Sequence, residues 1–283
     1  MNLRIGITGA HGYVGARLCA TLASAGHEVV RLVRLPHEGE RYFCLGEIIA
    51  PETLEDLDVL VHCAWDMRAA GPSAVRRTNI RGSVHLFDAA HTAGVSRVIF
   101  ISSMSAFPGC HSQYGLAKLE VEQAISKRGG ISIRPGLVYG PEPGGMVGAL
   151  LRLASVSPVL PMIGRGRYPL FPCHEDDLSE LLLVACMSAQ EKLQPVITAA
   201  ERKAWPFRDI VTTLAGRKLF YIPVPWQLAW AGLRLLELFT IRSRLKSDSL
   251  LGLVYSNQEP DFAALDQLGA AFRPLAAPGS RGK

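Results

Sequence analysis

Residues 5–15, IGITGAHGYVG, constrain this chain more than any other stretch. An apolar run of Leu3, Ile5 and Ile7 leads into Thr8. Gly9, Gly12 and Gly15 follow, then an apolar-periodic segment through Ala25. That is strand, glycine turn and helix. Gly9 permits the tight turn, Gly12 lets backbone approach a ligand with no Cβ in the way, and Gly15 lets the helix pack close. A helix starting there aims free N–H groups and the positive end of its dipole at an anion, and a dinucleotide pyrophosphate is the fitting one. Glycines alone mean little in a chain with 27 of them; the flanking strand and helix give the motif its weight.

The alternation continues to residue 140. Strands are expected at 28–33, 42–45, 58–63, 97–101 and 131–134, and helices at 73–94 and 113–128. Gly94 and the Gly129-Gly130 pair stop the helices, and Pro135 stops the last strand. The stretch DVLVHC at 58–63 is apolar almost throughout, as a parallel strand covered on both faces must be. This pattern specifies an α/β fold, a Rossmann-type doubly wound parallel sheet. After Gly140 the grammar changes. A loop of Pro141, Pro143, Gly144 and Gly145 precedes a helix at 146–155, and Gly164-Arg165-Gly166 marks a turn. Asp177-Leu-Ser-Glu180 reads as a capping box opening a helix at 181–187, and an apolar helix follows Pro225 over 226–239. We therefore expect a dinucleotide-binding domain over 1–140, with 175–198 packing back onto it. A smaller C-terminal α+β substrate lobe takes 141–174 and 199–275. A disordered tail takes 276–283.

Composition narrows the function classes. The formal charge is +5 in 283 residues, with basic residues scattered and only small clusters such as Arg76-Arg77, which fits anionic small molecules better than nucleic acid. Six cysteines show no C-x-x-C pairing and no metal spacing, so a reducing, cytoplasmic setting without metal is expected. The first strand begins at once, which reads as no signal peptide. No apolar run reaches the ~20 residues of a membrane span. The helix at 226–239 is expected to pack on a core or a partner subunit. Arg242, Arg244 and Lys246 beside it leave a membrane-surface role as the alternative.

The second strand ends at Val33-Arg34. In a dinucleotide fold an acid there selects the 2′-hydroxyl of NAD, whereas an arginine pairs with a 2′-phosphate, so Arg34 points to NADP first and NAD second. Ser103 stands at the carboxyl end of the strand at 97–101, where open α/β sheets place their sites, and Tyr114 and Lys118 follow on the next helix. Residues four apart share a helix face, so the Lys118 ammonium can lower the phenol of Tyr114 toward a working pH. Tyr114 would then exchange a proton with a substrate oxygen during hydride transfer, with Ser103 hydrogen-bonding that oxygen. Ser105 is a second candidate for the serine.

With these pieces in place the chain resembles an extended short-chain dehydrogenase/reductase of the NAD-dependent epimerase/dehydratase family. The likeness covers residues 3–190. It rests on TGAHGYVG at 8–15, His62-Cys63-Ala64, Asn79, Ser102-Ser103, Tyr114 with Lys118, and RPGLVYGP at 134–141. The resemblance implies that Tyr13 and Val14 touch pyrophosphate, and that Glu47 or Ile48 meets the adenine. It places Ala64 and Asn79 on the ribose–nicotinamide side, with Pro135 and Val138 bordering the nicotinamide. It also implies a small-molecule substrate, a nucleotide sugar, and a homodimer built on the helix that carries Tyr114. His174 resembles a family histidine ahead of a capped helix and reads as structural. The interval from Ser103 to Tyr114 is shorter than in sugar-nucleotide epimerases. The expected function is NAD(P)-dependent oxidoreductase or epimerase chemistry at a carbonyl or carbinol carbon. The alternative is a catalytically silent NAD(P)-binding or accessory protein of the same fold.

Overall fold

The structure is a computed structural model describing residues 2–141, 143, 145–239 and 246–276. The strands through the first half are β1 (Arg4–Thr8), β2 (Glu28–Val33), β3 (Arg41–Tyr42), β4 (Val59–His62), β5 (Arg97–Ile101) and β6 (Ile131–Pro135). Then come β7 (Leu137–Tyr139), β8 (Val159–Ile163), β9 (Pro169–Leu170), β10 (Pro172–His174), β11 (Val196–Ala199), β12 (Trp205–Pro206) and β13 (Phe220–Val224). The helices are α1 (Tyr13–Ser24), α2 (Gly71–Val75), α3 (Gly82–Thr92), α4 (Gln113–Ser126) and α5 (Gly145–Val156). They continue with α6 (Glu175–Met187), α7 (Phe207–Ala215), α8 (Trp226–Leu238), α9 (Ser247–Val254) and α10 (Ala263–Gln267).

Seven strands form one parallel sheet in the order β11-β6-β5-β4-β1-β2-β3. The chain runs outward from β1 to β3, then crosses back to β4 on the other side. That reversal opens a crevice at the carboxyl ends of β1 and β4, and the glycine turn lies in it. Side chains alternate across the sheet. Ile5, Ile7, Val61, Ile99 and Ile133 pack against α1 and α6, while Leu32, Leu60 and Phe100 face α3 and α4. Both faces are covered, so the middle of the sheet is mainly apolar, with Thr8, His62, Ser132 and Thr198 as its buried polar side chains. A second core lies beyond the sheet, built from α5, α7, β8 and Tyr139. Three two-stranded ribbons frame it: β7 with β10, β9 with β12, and β8 with β13.

Local details differ from the sequence reading for identifiable reasons. The third strand ends at Tyr42 rather than at residue 45. Gly46, with φ 98°, turns the chain beneath α3, where a Cβ on Gly82 would fall 2.5 Å from the Gly46 nitrogen. The helix expected at 73–94 contains a π-helical turn, Arg76–Arg81, between α2 and α3. Asp177 does not open a capping box. His174 caps α6, its Nδ1 accepting from the Asp176 nitrogen at 3.2 Å, so the helix starts earlier. Asp177 is left free to accept from the backbone and Nε of Arg273, at 2.8 and 2.7 Å. Helix α8 packs on α9 along one side and leaves its other side exposed. The expected tail beyond Ala276, and Arg242 and Arg244, lie outside the described residues.

Candidate active site

The glycine turn is built by close approach. Gly9 has φ 67°, and a Cβ there would meet the Ala64 backbone at 2.9 Å; one on Gly15 would lie 2.3 Å from the Gly9 carbonyl oxygen. Gly12 is the N-cap of α1, without a side-chain acceptor and without an acid in the first turn. The first N–H groups of α1 therefore face the crevice unneutralised. Tyr13 is part-exposed at the same end, where burial and the Glu175 carboxylate raise its phenol above the ordinary value. Val14 packs on the core.

Behind the turn runs a buried hydrogen-bond relay whose directions are fixed. The Ser83 hydroxyl donates to the Asn79 carbonyl at 2.6 Å, so it accepts from Nε2–H of His62 at 2.9 Å. The Nδ1 of His62 is then the acceptor for Thr8 Oγ1 at 2.7 Å, and Thr8 in turn accepts from the Ala64 nitrogen at 3.2 Å. Burial, and secondarily the Lys118 charge, pull the His62 imidazole down to about 3. His62 is thus a neutral pin joining β1, β4 and the helix from α2 to α3. Asn79 is fully buried and spent on backbone: its Oδ1 accepts from Asp66 N at 2.8 Å and its Nδ2 donates to Asp66 O at 3.1 Å. The π turn carries it into this position, so it shapes the loop after β4.

Ser103, Tyr114 and Lys118 come together at the end of β5. Ser103 Oγ accepts from Ser105 N at 3.1 Å and stands beside the Tyr114 phenol, which it acts to lower. Ser105 instead packs its carbonyl against Gly115, where a Cβ would fall 2.2 Å from the oxygen. Ser103 is therefore the serine beside the phenol. Lys118 is buried and donates to the Ile101 carbonyl at 2.7 Å. Its Nζ sits 4.0 Å from the centre of the Trp65 ring, 4.5 Å from Phe100 and 5.8 Å from Tyr114. Burial pulls the ammonium down to about 7. Burial also pushes the Tyr114 phenol up to about 12, with only Ser103 opposing. Burial raises the phenol more than its neighbours lower it, so the net shift runs opposite to the one expected from the Tyr114–Lys118 spacing. A further residue holds the helix in place. Asp248, at the start of α9, accepts from the Gln113 and Tyr114 nitrogens at 2.6 and 3.0 Å and so caps α4 from the far side of the chain.

The other expected contacts spread along the crevice. Arg34 is exposed at the end of β2. Glu47 accepts from the Tyr42 hydroxyl at 2.8 Å, and Ile48 stands in solvent. Near the glycine turn, the Glu40 carboxylate meets His11 Nε2 at 2.9 Å and accepts from the His37 nitrogen at 2.9 Å. Pro135 ends β6, its carbonyl accepting from Met104 N at 2.9 Å, and Val138 pairs in register with Cys173. Beside Ser103 opens a cleft of about 150 Å³ bounded by Ser105, Leu137, Phe171, Ser256 and Asn257, with no charged side chain among its described lining.

The model of the NAD dependent epimerase/dehydratase family matches residues 5–197. The chain belongs to that family. Among curated relatives, it is 30% identical over 195 residues to a ceramide reductase of Caulobacter vibrioides, covering 64% of this chain and 60% of the relative. It is 32% identical over 189 residues to a UDP-glucose 4-epimerase of Vibrio cholerae, covering 55% and 58%. It spans only 24% of the length of uncharacterised Mycobacterium proteins that it matches at 30% identity. Among solved structures, MoeE5 in complex with UDP-glucuronic acid and NAD superposes with a TM-score of 0.72 at 20% identity, over 96% of this chain and 94% of the other. That likeness establishes a shared fold.

The crevice of this epimerase/dehydratase family member fits a dinucleotide on its own evidence. The uncapped start of α1, the Cβ-free approach at Gly12 and the open carboxyl edge of the sheet are what a pyrophosphate requires. Sequence reasoning missed Trp65, Asp66, Glu40 and Asp248. Asp248 alone left a signal, an acid opening the apolar run at 250–253. Its partner lies more than a hundred residues away, where no local pattern reaches.

Proposed function

We propose that the chain binds NAD(P) and transfers hydride at a carbonyl or carbinol carbon, with Tyr114 as general acid/base. The observation that carries this reading is the Tyr114 phenol beside Ser103 at the end of β5, with the buried Lys118 ammonium 5.8 Å from its ring. The glycine turn and the N–H groups of Tyr13 and Val14 would hold the pyrophosphate, with Pro135 and Val138 toward the nicotinamide and Ala64 toward its ribose. When bound, the dinucleotide supplies the hydride acceptor or donor and, oxidised, a positive ring. Tyr114 moves a proton between its Oη and the substrate oxygen, and Ser103 donates to the same oxygen. Lys118 sits near the phenol, its Nζ held by the Ile101 carbonyl and the rings of Trp65 and Phe100. Arg34 supports NADP. Glu40, held at the glycine turn by His11, places a carboxylate at the adenosine end and supports NAD as the second choice.

For the substrate we propose a nucleotide-linked sugar, which the Vibrio cholerae relative and the UDP-glucuronic acid complex of MoeE5 support. The uncharged cleft beside Ser103, together with the Caulobacter vibrioides relative, favours a second reading, an alcohol or ketone without phosphate. Tyr114→Phe is expected to lower kcat about 10²–10⁴-fold while leaving dinucleotide affinity nearly unchanged. Retained turnover would remove Tyr114 from the mechanism. Single-turnover absorbance separates the reactions: a net nicotinamide change means oxidoreduction, and a transient change with none net means epimerisation.

A further inference from the structure

Helix α8 is built unlike an ordinary surface helix, which buries an apolar stripe and turns charge to water. Its inward stripe is narrow, formed by Trp226, Ala229, Leu233 and Glu237, and none of these is fully buried. Its outer face carries the bulk of the apolar surface: Leu228 is 67% exposed, Leu235 55% and Phe239 70%, with Leu236 on the flank of that face and Trp230 on the other side of the helix, one turn from Trp226. A contiguous apolar helix face of this kind marks a binding surface. The charge nearest that face is Arg234 at its edge, its side chain 59% exposed and its guanidinium 6.0 Å from the Trp230 ring centre. The helix has a single acid, Glu237, and it is engaged inward. Its carboxylate accepts from the nitrogen and hydroxyl of Ser247 at 2.8 and 2.9 Å and reaches Arg234 only at 3.4 Å. From Trp226 to Ser247 the sequence holds four basic residues against that one acid.

We propose that α8 is an interfacial docking helix that seats the chain on an anionic lipid bilayer. No described helix is long and apolar enough to cross a membrane, so α8 lies in the plane of the interface. The charge pattern selects the occupant. A second copy of α8 would bring no free acid to Arg234, because Glu237, the one acid of the helix, is engaged by Ser247. Anionic headgroups complement Arg234 at the edge of the face, and the acyl boundary takes Leu228, Leu235 and Phe239. The docked helix is also close to the cleft. Trp226 stacks edge-on against Tyr255, and α9 packs on both α8 and α4 while contributing Gly252 to the cleft wall. The proposal stands independently of the substrate assigned above.

The test is co-sedimentation of the full chain with vesicles of phosphatidylglycerol and phosphatidylcholine, and with phosphatidylcholine alone. The chain is expected to pellet with the anionic vesicles and to bind neutral ones several-fold more weakly. Arg234→Ala should weaken anionic binding about fivefold. The double variant Leu228→Asp, Leu235→Asp should weaken it about tenfold or more. Its melting curve and dinucleotide affinity should match the parent, since both sites are exposed and outside the crevice. The idea is overturned if the parent stays in the supernatant with both vesicle types, or if the double variant pellets as the parent does. It is equally overturned if light scattering shows a dimer that the double variant splits while vesicles remain unbound.

Discussion

Tyr114 and Lys118 show what spacing alone can and cannot specify. Four residues of helix place them on one face, and that juxtaposition was readable. The electrostatics were not, because the rings around Lys118 come from Trp65 and Phe100, which the sheet brings in from other segments. The choice between Ser103 and Ser105 likewise depended on how the turn after β5 closes, which sets Ser103 beside the Tyr114 phenol and leaves both serines on the cleft. At the adenosine end two side chains of opposite sign stand within reach of the crevice, and each implies a different dinucleotide. Arg34→Ala is expected to weaken NADPH binding about tenfold or more while changing NADH little, the loss of one charge-assisted contact to phosphate. Glu40→Gln should weaken NADH and leave NADPH unchanged or tighter. Titration calorimetry with both cofactors checks the pair, and equal losses for both cofactors in Arg34→Ala would show that Arg34 never meets a 2′-phosphate.

Elements were legible where their signal was local. The strands β1, β2 and β5 are apolar runs bounded by charge or glycine, and their limits follow from those residues. The edge strand β3 and the start of α6 were misread because each is settled by a distant partner: Gly82 under Gly46 in one case, Arg273 on Asp177 in the other. The π turn was equally invisible, and its consequence is to bring Asn79 and Ser83 onto the His62 relay. That relay joins three elements through one neutral imidazole, which makes a pH-dependent prediction. The folded-state value of about 3 lies below the free value of 6.5, so the unfolded chain takes the proton first. Stability from neutral His62 is complete above pH 6.5 and is lost progressively as pH falls toward 3. His62→Leu strands the hydroxyls of Thr8 and Ser83 and should cost about 2–4 kcal/mol at neutral pH. The deficit should narrow as pH falls from 6.5 toward 4, measured as the difference between parent and variant denaturant curves. A deficit constant over that range would mean that the imidazole titrates freely and the relay is not as described.

Across the whole molecule the two cores are stitched together by residues 246–276. Leu253 belongs to the second core, Leu265 to the sheet core, and Leu275 to the second core again. Between these anchors Asp248 caps α4, Arg273 pairs with Asp177 on α6, and Glu201 accepts from the Leu275 nitrogen at 2.9 Å. A segment that alternates between cores makes each depend on the other, so the described chain should unfold as one unit. It also ties the orientation of the Tyr114 helix to packing in the second core through Asp248. Leu265→Ala removes a fully buried side chain from the sheet core at a cost of about 2–5 kcal/mol. Because the strap couples the cores, differential scanning calorimetry of this variant should show a single transition, moved down by several degrees. Two separated transitions, with one left at the parent temperature, would mean that the second core melts on its own and the strap transmits nothing.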